Sequence, residues 1–154
     1  MPANYSVQQV ANWFLGQSSM SPKKLQKLMY YAYAWTLVLT NEDSQQLTNR
    51  LFDEQFEAWV HGPVLKQIYH AYNQYGFSEI PQRSQTTEFT PDVLDILGQV
   101  WDVYGGYTAN ELESMTHQEL PWQEARGGLS PLEASNQKLR DRTVFDFYIS
   151  RAAS

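Results

Sequence analysis

A chain of 154 residues with 42% hydrophobic content and no cysteine is long enough for one domain with a real core, and it excludes disulfides and thiolate metal sites. On size scaling, roughly 68–70% of the surface of the unfolded chain is buried in a domain of this length. A net charge of −6 argues against nonspecific nucleic-acid binding, which usually needs a basic face. No apolar run reaches the ~18 residues of a membrane helix. The opening Met-Pro-Ala-Asn-Tyr-Ser has neither the basic start nor the apolar stretch of a secretory leader. With cysteine absent, these features suit a cytoplasmic protein.

In chain order, Ser6 and Gln9 form a capping box ahead of Val7, Val10, Ala11 and Phe14, with Gly16 ending the run. Ser21-Pro22 is a second start, a cap followed by proline at the first helical position. Leu25, Leu28, Met29, Ala32, Trp35, Thr36 and Leu39 make one stripe, and Tyr30, Tyr33 and Leu37 a second. A helix apolar on two faces belongs inside a core. Ser21–Leu39 is therefore expected to be the central helix.

Asn41 to Arg50 is polar and reads as a loop. Leu51-Phe52 and Phe56 to Val60 have the composition of two short strands, a hairpin turning at Asp53-Glu54. Gly62-Pro63 then reads as the turn into a helix whose stripe is Val64, Ile68, Ala71, Tyr72 and Tyr75, closed by Gly76. Ser78 to Phe89 is a polar connection. Thr90-Pro91 repeats the cap-plus-proline signal, with Leu94, Leu97, Trp101 and Tyr104 as the expected buried face and Gly105-Gly106 as the stop. Thr108 and Glu111 form another capping box, with Leu112 and Met115 following. Pro121 starts one more turn carrying Trp122 and Ala125, ended by Gly127-Gly128. Asp141 is placed to cap a last helix with Val144, Phe145 and Tyr148 inside. No internal repeat, low-complexity tract or linker interrupts residues 1–154, so a single, mainly α domain is expected. It would have six or seven helices around a central buried helix and at most a small two-stranded β element.

The familiar catalytic signatures are absent: no G-x-S-x-G, Walker loop, G-x-G-x-x-G or H-E-x-x-H occurs. His61, His70 and His117 are the only histidines. A metal site would have to combine His61 and His117 with Glu57 or Glu119, in spacings that match no ligand motif. Each histidine therefore reads as a hydrogen-bonded structural residue, and no metal or other cofactor is expected. The basic clusters Lys23, Lys24, Lys27 and Lys138, Arg140, Arg142 are small, and the helices are too apolar for a recognition helix. From Ser84 to Ala125 there are eight carboxylates and no lysine or arginine. Within that stretch Asp92, Asp95 and Asp102 share one side of a helix, a solvated face or a docking ridge for a basic partner.

Three segments carry a resemblance when taken together. They are Leu25-Gln26-Lys27-Leu28-Met29-Tyr30-Tyr31-Ala32; Phe56-Glu57-Ala58-Trp59-Val60-His61-Gly62-Pro63-Val64 with Ile68-Tyr69; and Tyr104-Gly105, Thr108-Ala109, Leu112, Thr116-His117 and Pro121-Trp122 with Ala125-Arg126. Their order and spacing resemble the Panacea (SocA-like) antitoxin domain, which includes many phage-associated proteins, over about Leu25 to Arg126. The Ala-Trp-x-x-Gly-Pro-Val segment is the most specific.

The resemblance implies an antitoxin that neutralises a cognate toxin by direct contact and is not an enzyme. A proteolytic adaptor handing a toxin to an AAA+ protease is the first alternative, and a small enzyme using His61, His117 and a carboxylate the second. Lys27, Leu28, Tyr31, Trp59, His61, Gly62, Pro63, Tyr69, His117, Pro121 and Trp122 are the matching motif residues, expected mostly to specify the fold. Trp59, Trp122 and Tyr69 would be core aromatics, and the Lys27 amine would reach a carboxylate or the surface.

Overall fold

A computed structural model describes residues 5–152 of the chain. Residues 1–4, which carry most of the expected leader-free start, lie outside the described residues. Among the described residues there are seven α-helices, one 3-10 turn and one two-stranded sheet. α1 (Val7–Gln17) begins at the Ser6–Gln9 capping box, both of whose hydrogen bonds form. α2 (Pro22–Thr40) begins at Ser21, whose side chain accepts the Lys24 N–H. The mainly α expectation holds, and α2 is the axis: α1, α3, α4, α5, α7 and β2 all pack on it. Every residue from Leu25 to Ala34 is buried. Leu39, expected in the same stripe, is 53% exposed because the helix runs past the core at its C-terminal end.

The hairpin is displaced from its expected position. β1 (Glu57–Trp59) pairs antiparallel with β2 (Gly62–Val64), and Val60-His61 makes the turn. Leu51 and Phe52 are buried without strand pairing, Phe56 gives only its carbonyl to Leu139 N (2.9 Å), and Phe52 stacks on Tyr33 of α2 at 5.1 Å. Their aromatic and aliphatic content reflects core packing and not a ladder. Gly62-Pro63, expected as a turn into a helix, lies within β2. Pro63 stands opposite Ala58, whose N–H points away to Gln137 O (2.8 Å). The pair exchanges no ladder bond, so the missing proline N–H costs nothing there.

α3 (Lys66–Tyr72) follows, then the 3-10 turn Asn73–Tyr75 closed by Gly76 at φ 57°. In α4 (Pro91–Tyr104) the buried face is Val93, Ile96, Leu97 and Val100. The expected stripe was rotated: Leu94 is 45% exposed, and Trp101 and Tyr104 are half-buried. The helix is apolar on both sides of Ile96, so periodicity alone could not choose the face. α5 (Ala109–His117) opens at the Thr108–Glu111 capping box, and α6 (Leu120–Arg126) ends at Gly127, φ 58°. α7 (Asp141–Ala152) buries Val144, Phe145 and Tyr148. No helix among the described residues is long and apolar enough to cross a membrane.

Candidate functional site

The three motif segments, far apart in sequence, meet where the hairpin lies between the N-terminal half of α2 and the α5–α6 pair. Two adjacent residues of α2 hold the hairpin's outgoing strand. Gln26, 4% exposed, donates to Leu65 O and accepts from Leu65 N, both at 2.9 Å, so its amide imitates a neighbouring strand. Lys27, 1% exposed, donates to Pro63 O at 3.1 Å. This overturns the expectation that its amine would reach a carboxylate or the surface. Gly62 and Pro63 close over the amine instead. Burial pushes the Lys27 amine from 10.5 down to about 7, with Glu113 opposing and Lys23 adding to the fall.

Gly62 is what allows this approach. A Cβ there would stand 2.7 Å from Lys27 Cε and 2.9 Å from Thr116 Oγ1, and the backbone has φ +107°. Only glycine supplies both the space and the conformation.

Outside this buried contact lies a polar rim centred on Glu113 of α5. Its carboxylate accepts from Lys23 (2.5 Å) and pairs with His61 Nδ1 at the hairpin turn (3.1 Å), while His117 Nε2 stands 3.9 Å away. Burial pushes the Glu113 carboxyl up, but hydrogen bonds from Lys23 and His61 and the charges of both hold it below the usual carboxylate range. His117 is lowered by burial, with Glu113 opposing. The two histidines thus converge on Glu113 and not on the expected Glu57 or Glu119. Among the described residues no group of histidines and carboxylates is arranged to hold a metal ion. His70 lies exposed on α3, its ring edge-on to Tyr69.

Trp59, Trp122 and Tyr69 flank this rim and are not fully buried in the core. Trp122 stacks on His117 (4.0 Å between centroids) and donates Nε1–H to Trp59 O at 2.9 Å. Trp59 donates to Glu57 Oε1 (2.9 Å) and packs on Tyr69 at 4.9 Å. Trp59 and Trp122 are half-buried, and Tyr69 is 41% exposed. Leu28, Tyr31 and Pro121 are buried. The Tyr31 hydroxyl donates to Glu119 (3.1 Å), which also accepts from Tyr148 (2.5 Å). Arg126, 5% exposed, donates to Ala58 O (3.2 Å) and Ser130 O (2.8 Å), tying α6 to β1.

The basic cluster at the start of α2 is not a patch: Lys23 is paired, Lys24 donates to Gly105 O at the end of α4 (2.7 Å), and Lys27 is buried. Nor is the acidic stretch uncompensated. Glu113 has Lys23, Glu124 has Arg140 at 3.6 Å, and Glu119 is buried under tyrosines. The bases come from distant parts of the chain, which a linear charge count misses. Asp92, Asp95 and Asp102 remain exposed on α4.

Gln26, Glu113, Thr116 and Arg126 were not singled out as site residues. Gln26, Thr116 and Arg126 lie within the segments that carry the resemblance, and Gln26 is a polar residue inside an apolar helical run; Glu113 needed the fold. The family model for the SocA-like antitoxin Panacea domain matches residues 25–123. No curated protein and no solved structure matches the chain. With the model covering well over half of the residues and all three segments meeting at one place, the chain belongs to the SocA-like antitoxin family of Panacea domains.

Proposed function

We propose that this protein is the antitoxin of a toxin–antitoxin pair and neutralises a cognate toxin in the cytoplasm by direct protein–protein binding. The observation that carries this reading is the family match, residues 25–123. The geometry of the motif is consistent with it. Lys27, Gln26, Arg126 and Glu113, the groups with most chemical potential, are committed to the hairpin and its exit or to Lys23 of α2. Such an arrangement makes a rigid platform, and rigid platforms bind with little ordering cost. Nucleic acid is not expected as a partner of this acidic chain alone.

The test is co-expression with the toxin-like product of the adjacent gene, scored by growth rescue and co-purification. Rescue with a stable stoichiometric complex supports neutralisation by binding. Rescue accompanied by toxin loss, abolished in a host lacking its AAA+ protease, would move the reading to a proteolytic adaptor. Absence of both rescue and complex would refute the antitoxin reading.

A further inference from the structure

On the face away from the hairpin, the C-terminal halves of α2 and α4 and the end of α7 enclose an apolar groove of about 280 Å³. Trp35 and Tyr104 form its floor, joined by a hydrogen bond from Trp35 Nε1 to the Tyr104 hydroxyl (3.0 Å). Leu39 and Val103 are its walls, 53% and 61% exposed. These are large aliphatic side chains left in water on either side of one depression. The volume falls just short of the ~300–1,000 Å³ typical of small-molecule sites. It suits one or two anchoring side chains of a protein segment better than a cofactor.

The groove has a charged border on one side. Asp92, Asp95, Gln99 and Asp102 follow one another along α4 at the spacing of a helical ridge. Gln99 lines the groove and donates to Asp95 at 2.7 Å, which sets the acidic ridge directly against the apolar wall. The Thr90 hydroxyl holds the Asp92 carboxyl below its ordinary value. A second copy of this chain is a poor occupant. A two-fold contact through this face would set two acidic ridges side by side, on molecules of net charge −6.

We infer that this groove is the toxin-docking surface, receiving apolar anchor side chains from a basic segment of the toxin while Asp92, Asp95 and Asp102 pair with its lysines or arginines. The inference rests on the antitoxin reading above.

The probe is the toxin-like product of the adjacent gene, inactivated in its active site, and binding is followed by stopped flow and by titration. Leu39→Glu with Val103→Glu changes only exposed side chains and should leave the melting curve intact. It should weaken binding by about tenfold or more, as loss of a central anchor does. Phe77→Glu, at a fully exposed apolar residue outside the groove, should leave affinity unchanged. Changing Asp92, Asp95 and Asp102 together to Asn should slow association at low salt, the difference closing as the screening length shrinks to about 3 Å at 1 M. If wild type binds and both groove variants bind equally well, the groove is not the docking surface, though the antitoxin reading stands. If wild type itself neither binds nor rescues, the antitoxin reading fails first. A wild-type dimer that Val103→Glu dissociates would also overturn the inference, giving the groove to a second copy.

Discussion

Lys27 offers a direct measure of what the central contact costs. Its amine is sealed between α2 and β2 with one hydrogen-bond acceptor, Pro63 O, and burial lowers it from 10.5 to about 7. Between those two values the unfolded chain binds more protons than the folded one, so stability must rise with pH across that window. Below pH 7 the full cost is present, about 4–5 kcal/mol at about 1.4 kcal/mol per pH unit. From pH 7 to pH 9 about 2 kcal/mol of it should be recovered. Above pH 10 the buried tyrosines reverse the trend. Burial raises Tyr30, Tyr31, Tyr33 and Tyr148, so the unfolded chain ionises first and stability falls. Lys27→Met removes the charge and fills similar volume, leaving Pro63 O without its donor at a cost of about 1–3 kcal/mol. At pH 7 the variant should be at least as stable as wild type. The assay is urea denaturation of both proteins at pH 7, 8 and 9. The difference between them should shrink or change sign as pH rises, because only wild type gains. Parallel curves across that range would refute the account, as would a variant weakened by several kcal/mol at every pH.

Other perturbations follow from the same contacts. Gly62→Ala should lose about 2–4 kcal/mol in urea denaturation, combining an unfavourable φ with a Cβ forced onto Lys27 and Thr116; an unchanged midpoint would show that the strand shifts freely. Trp122→Ala or Trp59→Ala should cost about 2 kcal/mol by the same measurement, below the ~3–5 of a fully buried tryptophan. A variant that keeps its melting temperature but loses toxin binding would make either one a contact residue. At Glu119, burial raises the carboxyl above its ordinary value, so ionisation on going from acid to neutral pH costs the folded state stability. Glu119→Gln keeps an acceptor for Tyr31 and Tyr148 without the charge. It should equal or exceed wild-type stability at pH 7, with the gain vanishing at acid pH in thermal scans; Glu119→Ala should lose about 2–3 kcal/mol.

Local signals in the sequence were enough for most of the helices. Capping boxes at Ser6–Gln9 and Thr108–Glu111, prolines at Pro22, Pro91 and Pro121, and the stop at Gly127 act within a few residues, and each marks a helix end in the structure. The central helix was legible because a run apolar on every side has only the core to occupy. The motif segments named the family without any knowledge of where they meet. What tertiary structure decided was every question that depends on a distant partner. The hairpin moved because Leu51, Phe52 and Phe56 look like strand residues yet are buried in the core, the two phenylalanines against tyrosines of α2, and a ladder needs a neighbour that composition cannot supply. The buried face of α4 followed the shape of α2, not the helix's own pattern. Lys27 is silent in sequence as a buried amine because its burial comes from Gly62 and Pro63, more than thirty residues away. Charge behaved likewise: Glu113 and Glu124 find their bases only on folding, so the charge left exposed on α4 is a property of three dimensions, set by which carboxylates the fold seats beside a base.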